Sequence, residues 1–122
     1  MVIIFSVIVN LSKQNEKRTH FIAMSKLKSK IIYFDSFGNP NIDIALEKYL
    51  KTYEKQIIYS NNQLQNIFSS HCGFYCIAFI LSIENNITFN EFLRKFNRKN
   101  LYLNDYICVE MIKFFINYII HR

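Results

Sequence analysis

The sequence predicts an α+β fold, a small mixed or antiparallel sheet followed by packed helices, and three observations lead to it. Residues 2–9, "VIIFSVIV", are a β-branched run, and "HFIAMSK" and "KIIYFDS" are two further strand-like segments separated by only three residues. From Cys72 onward the apolar residues run nearly all round a helix, and two more helical patterns follow. The order is strand, hairpin, helix, strand, then three helices, in one domain spanning residues 1–122.

Each element has its own reason. The opening "MVIIFSVIVN" has no basic leader and no small-residue cleavage site, and it is too short to cross a bilayer. It reads as a buried strand, followed by the polar loop "NLSKQNEKRT". A hairpin turning through Leu27 and Lys28 pairs residues whose numbers sum to about 55, which sets His20 opposite Asp35 on one face. "FGNPN" carries the only proline and one of the two glycines, a dense turn signal. The helix after it has Ile42, Ala45, Leu46, Tyr49 and Leu50 at helical spacing. "QIIYS" is a strand, and a polar loop leads to Ser70. "CGFYCIAFILSI" is apolar all round and predicts a central helix packed on several sides. "TFNE" at 88–91 is a capping box, and Asn104 is placed to cap the last helix. That helix is amphipathic rather than membrane-spanning, because Glu110, Lys113 and Asn117 share a face.

Composition narrows the class. With 51% hydrophobic and 16% aromatic residues the chain is not disordered. The net charge of +6 favours acidic partners, but lysines and arginines are scattered, without the basic block of a dedicated nucleic-acid arm. Lys26, Lys28 and Lys30 read as a solvated edge that discourages strand addition. Three cysteines without framework spacing fit a reducing intracellular compartment, cytoplasm or nucleus.

A thiol protease needs a thiolate, a base, a group that orients the base, and donors for the developing oxyanion. The chain offers His20, Asp35, Gln65 and Cys72 in that order. Cys72 falls where a loop enters a helix, whose N-terminal N–H groups favour a thiolate and supply an oxyanion donor. Gly73 leaves room for a substrate backbone, and the Gln65 amide is a second donor from the loop seven residues upstream. Bland readings stand beside these: a free cysteine is commonly a small buried hydrophobe, and an aspartate after a strand is commonly a turn former. Cys72 and Cys76 with His71 or His20 suggest zinc, but structural zinc ligands favour shorter spacers on loops, and neither metal nor cofactor is expected. Cys76 and Cys108 read as core packing. His71 reads as an exposed loop histidine pointing away from Cys72, and Ser69 and Ser70 as loop or capping groups.

"THFIAM", "IIYFDSFGNP" and "QNIFSSHCGFYCIAFIL", in this order, resemble the cysteine proteases that group the adenovirus maturation protease with the ubiquitin-like-protein (SUMO) proteases. The closest look is to the adenain-like enzymes of adenoviruses and Maverick/Polinton-type elements. The resemblance is good over residues 7–83 and fainter beyond. It implies a papain-like core of the adenain type, with His20 as general base, Asp35 orienting it, Gln65 in the oxyanion hole and Cys72 as nucleophile. Phe21, where the family has tryptophan, and Gly73 would line the substrate cleft. The implied activity is endopeptidase action through a thioester on viral or mobile-element precursors. Deconjugation of a ubiquitin-like protein and an inactive remnant that binds a partner are the alternatives. Thr19 departs from a position that is small in relatives, and the hairpin loop is shorter by an even number. The family's N-terminal segment is expected to be missing. DNA contact is a further implication of the resemblance.

Overall fold

The computed structural model of the protein describes residues 2–11, 20–39 and 42–121. The loop 12–19, including Thr19, and the Pro40 turn position lie outside the described residues. The element order matches the expected one: β1 (Ile3–Asn10), β2 (Phe21–Leu27), β3 (Lys30–Phe34), α1 (Ile44–Lys51), β4 (Gln56–Tyr59), α2 (Cys72–Glu84), α3 (Phe89–Arg94) and α4 (Tyr102–His121). The sheet runs β1-β2-β3-β4. The first three strands are antiparallel and β4 is parallel to β3, so the sheet is mixed. The parallel pair requires a crossover, and α1 supplies it.

Alternation along β2 and β3 divides the apolar residues between two faces. Ile22, Met24, Ile31 and Tyr33 pack with Leu50 and Leu46 of α1, whereas Ala23, Leu27, Ile32 and Phe34 pack with the residues of α2, α3 and α4. The second core is aromatic. Phe34 stacks on Phe79 at 5.0 Å and meets Phe92 edge-on at 5.3 Å, geometries that add to simple area burial. Because Phe34 is the last residue of β3, this cluster also fixes where the next residue, Asp35, leaves the sheet.

Two of the helices, α1 and α3, start at side-chain caps. Asp43 accepts from Leu46 N at the head of α1, and Thr88 with Glu91 forms the full capping box of α3. In α4, Glu110 and Lys113 pair at 3.3 Å on the exposed face. Among the described residues no helix is long and apolar enough to cross a membrane.

Four expectations are corrected. The first strand is an edge strand with Ile4 and Ile8 exposed, because only β2 flanks it and the helices cover the middle of the sheet. The hairpin turns at Lys28 and Ser29 and pairs Ala23 with Phe34 and Met24 with Tyr33, a register two residues away from the expected one. A shift of two preserves the faces. Lys26 and Lys30 therefore guard no edge, since β2 and β3 are interior strands; Lys26 instead lies over the Tyr53 ring, 3.7 Å from its centroid. Asn104 does not cap α4. It is buried inside the first turn, where its side chain donates to Leu64 O and Asn97 O and accepts from Asn97 N, all at 2.7–2.8 Å.

Candidate active site

The start of β2, the turn after β3, the loop after β4 and the start of α2 meet at one end of the sheet. His20 immediately precedes β2, and its Nε2 lies 3.2 Å from Asp35 Oδ2. In the observed register Asp35 falls beside Ile22, so His20 reaches it diagonally, a separation that long side chains span. The Asp35 carboxylate is buried and the imidazole is about one-quarter exposed. The His20 ring stacks on Phe37 with centroids 5.5 Å apart.

The segment "DSFG", residues 35–38, makes this geometry. Asp35 Oδ1 accepts from Phe37 N at 2.9 Å and Asp35 O accepts from Gly38 N at 2.9 Å, a hydrogen-bonded turn with aspartate first and glycine fourth. Gly38 has φ +66°, and a Cβ on it would lie 2.7 Å from the backbone carbon of Asn62. Glycine is therefore required twice, for its conformation and for the close approach of the 62–63 backbone. From below, Ser60 Oγ accepts from Asp35 N and donates to Asp35 O, both at 3.0 Å. One carboxylate oxygen is thus held by the Phe37 backbone N–H, and the Asp35 main chain by Ser60 and Gly38, before the other oxygen meets His20.

The same turn carries Gln65. Ser36 O accepts from Leu64 N at 2.8 Å and Gln65 N at 3.0 Å, and Ser36 Oγ donates to Gln65 Oε1 at 2.6 Å. Gln65 Nε2 donates to Ser69 O and Ser69 Oγ. Ser69 Oγ in turn accepts from His71 N at 3.1 Å, which ties the loop to the first turn of α2.

Cys72 is the first residue of α2 and is buried, outside any disulfide. The Phe21 ring lies against the helix at the next residue: a Cβ on Gly73 would be 3.5 Å from Phe21 Cδ2. Phe21 and Gly73 are therefore neighbours, and the β2 residue after His20 touches the α2 residue after Cys72. Cys76 and Cys108 lie in the core as expected. Burial, with the nearby Cys72 thiol as second cause, pushes the Cys76 thiol far up, and burial with Asp105 pushes Cys108 up to about 12. Both are held as neutral thiols at physiological pH.

His71 is only half exposed rather than an exposed loop residue. Its Nδ1 lies 3.6 Å from Asp105 Oδ2 in α4, its ring packs on Phe74, and Asp105 Oδ1 accepts from Tyr75 OH at 2.9 Å. The first turn of α4 crosses the first turn of α2 and supplies that carboxylate. Among the described residues no group of three or more His, Cys, Asp or Glu side chains is placed to hold a metal ion.

Sequence reasoning singled out Asp35, Gln65 and His20, read Phe37 and Gly38 as part of a turn and Ser69 as a loop or capping group, and missed the supporting roles of Ser36 and Ser60. The signal was present for one group: aspartate followed three residues later by glycine is a turn pattern, and the two residues between project from it. Nothing local in "QIIYS" marks Ser60 as the residue beneath Asp35, because that pairing spans 25 positions.

No family model and no curated protein matches the sequence. Among solved structures the fold is shared with the ASFV pS273R protease, at a TM-score of 0.61 and 15% identity, covering 85% of this chain. The chain spans 42% of the length of that protein. The likeness places this α+β chain, with its four-stranded mixed sheet, in the fold of a viral protease.

Proposed function

We propose that the chain is a cysteine endopeptidase of the adenain and SUMO-protease type. The observation that carries this reading is the His20 Nε2 to Asp35 Oδ2 contact at 3.2 Å, built at the same end of the sheet as the first turn of α2. The fold shared with a viral protease supports it. A carboxylate on Nε2 keeps the proton there in the neutral ring, which makes Nδ1 the basic nitrogen.

In the proposed reaction Nδ1 takes the Cys72 thiol proton, and Sγ attacks the scissile carbonyl carbon. The C=O π pair moves to oxygen, where the Gln65 amide stabilises it. Collapse breaks the C–N bond, the imidazolium gives its proton to the departing amine, and a thioester remains. Water, deprotonated by His20, adds to the thioester, and collapse releases the acid and restores the thiol. The Asp35 carboxylate stabilises the imidazolium in both halves without being protonated itself.

The substrates in this reading are precursor proteins of a virus or mobile element, cut inside the cell or the particle. Small residues at the scissile bond suit a cleft bordered by Phe21 and Gly73. The test is labelling of the folded chain by a peptidyl electrophile ending in glycine. Labelling that disappears in Cys72→Ala supports the enzyme; no Cys72-dependent labelling of folded protein removes it.

A further inference from the structure

Gln65 is completely buried, and each polar atom of its side chain has a defined partner. The Ser69 carbonyl, 3.0 Å from Nε2, can only accept, so the amide nitrogen must face it. The amide oxygen then faces Ser36, whose hydroxyl donates to it at 2.6 Å. With the oxygen and one N–H fixed, the planar amide has no freedom left in the direction of its second N–H. Ser69 Oγ, 3.1 Å from Nε2, is the further acceptor beside it.

The two acceptors on Nε2 are not equivalent. Ser69 O belongs to the backbone, whereas Ser69 Oγ sits on a side chain that can rotate and already accepts from His71 N. A buried amide is costly unless every group is paired, and an apolar side chain of similar size would fill the site without that demand. The geometry points to Ser36 as a positioning residue for Gln65, and to Ser69 Oγ as a placeholder that yields one Nε2 hydrogen to the oxyanion of the substrate. The inference rests on the reading of Gln65 as an oxyanion donor. Ser36 acts only through Gln65: it touches no substrate, and its hydroxyl donates in the resting and the reacting state alike.

The experiment compares two reactions of Cys72 in the full chain. Hydrolysis of a fluorogenic peptide amide ending in glycine develops an oxyanion, whereas alkylation by iodoacetamide displaces iodide and develops none. In Ser36→Ala, kcat is expected to fall about 10-fold or more, toward the about 100- to 1,000-fold of losing a donor outright. KM and the alkylation rate stay close to those of the unsubstituted chain. Adding Ser36→Ala to Gln65→Ala is expected to lower kcat no further, because the partner through which it acts is gone. Unchanged kcat in Ser36→Ala, an equal loss in both reactions, or full additivity overturns the assignment. Absence of Cys72-dependent turnover in the unsubstituted chain instead removes the protease reading on which it rests. Should Ser36→Ala not fold, the 15N side-chain amide signals of Gln65 in the unsubstituted protein give the answer. On addition of a peptide aldehyde that forms a hemithioacetal with Cys72, one Nε2 proton is expected to shift and the other to hold; neither or both shifting overturns the proposal.

Discussion

Gly38→Ala is the substitution with the most sharply defined consequence. At φ +66° an alanine costs about 1–2 kcal/mol from its own Cβ. The new methyl would also lie 2.7 Å from Asn62 C, 2.8 Å from Asn62 O and 2.8 Å from Gln63 N. All three are backbone atoms, so no side chain can swing aside, and overpacking of this kind costs about 1–3 kcal/mol. The sum, about 2–5 kcal/mol, is a large part of the about 5–15 kcal/mol that holds a domain together. With an unfolding entropy of about 2 cal/mol/K per residue, a chain of this size loses about 4 °C in Tm per kcal/mol. Thermal unfolding followed by circular dichroism is therefore expected to move down by about 8–20 °C. Gly38→Asn separates the two causes: asparagine tolerates the left-handed conformation but keeps the clash, so it recovers only part of the loss. A Tm for Gly38→Ala within about 3 °C of the unsubstituted chain would refute the packing of the turn against the 62–63 backbone.

Asp35→Asn is expected to lower kcat/KM by about 100- to 10,000-fold while the chain remains folded, measured as peptide hydrolysis across pH, because the amide no longer holds the imidazolium. Gly73→Ala is expected to raise the thermal midpoint, since a Cβ there meets the Phe21 ring at an ordinary 3.5 Å and alanine favours the helix by about 0.5–1 kcal/mol. In the proposed reading the same methyl stands in the substrate cleft, so KM for a glycine-ended peptide should rise; an unchanged KM would place the cleft elsewhere. In alkali the thiols of Cys76 and Cys108 ionise near 9 in the unfolded chain but stay protonated in the fold, Cys108 up to about 12. Their stabilising effect is complete below that unfolded value and declines as pH rises through it, by up to about 1.4 kcal/mol per pH unit for each thiol. Denaturant midpoints between pH 8.5 and 10.5 should fall less steeply in Cys108→Ala, and equal slopes would contradict the burial of that thiol.

Legibility in the sequence followed the range of the interaction. The element order and the Thr88–Glu91 capping box rest on local patterns, the 2.0 and 3.6 periodicities and side chains three residues apart, and these were readable. The hairpin register was displaced by two because Leu27 and Lys28 carry no turn signal, and neither do Lys28 and Ser29, where the chain turns. The displacement left His20 and Asp35 on one face, so the pairing survived an incorrect register. The edge position of β1 depends on which strands flank it, which alternation alone does not encode. Asn104 reads as a cap because asparagine favours caps; its burial against Leu64 O spans 40 positions and has no local signature. The partners of Gln65 were equally hidden, since Ser36 lies 29 positions away, whereas the Gln65 to Cys72 spacing was open to a family resemblance.

The central claim is that Cys72, and neither of the other two cysteines, is the nucleophile that His20 and Asp35 serve. The most direct measurement is mass-spectrometric mapping of the adduct formed when the folded chain meets a glycine-ended peptidyl electrophile. A single adduct on Cys72, lost in His20→Ala while the far-ultraviolet spectrum is retained, is the predicted result. Modification at Cys76 or Cys108, equal labelling without His20, or no adduct on folded protein would contradict it.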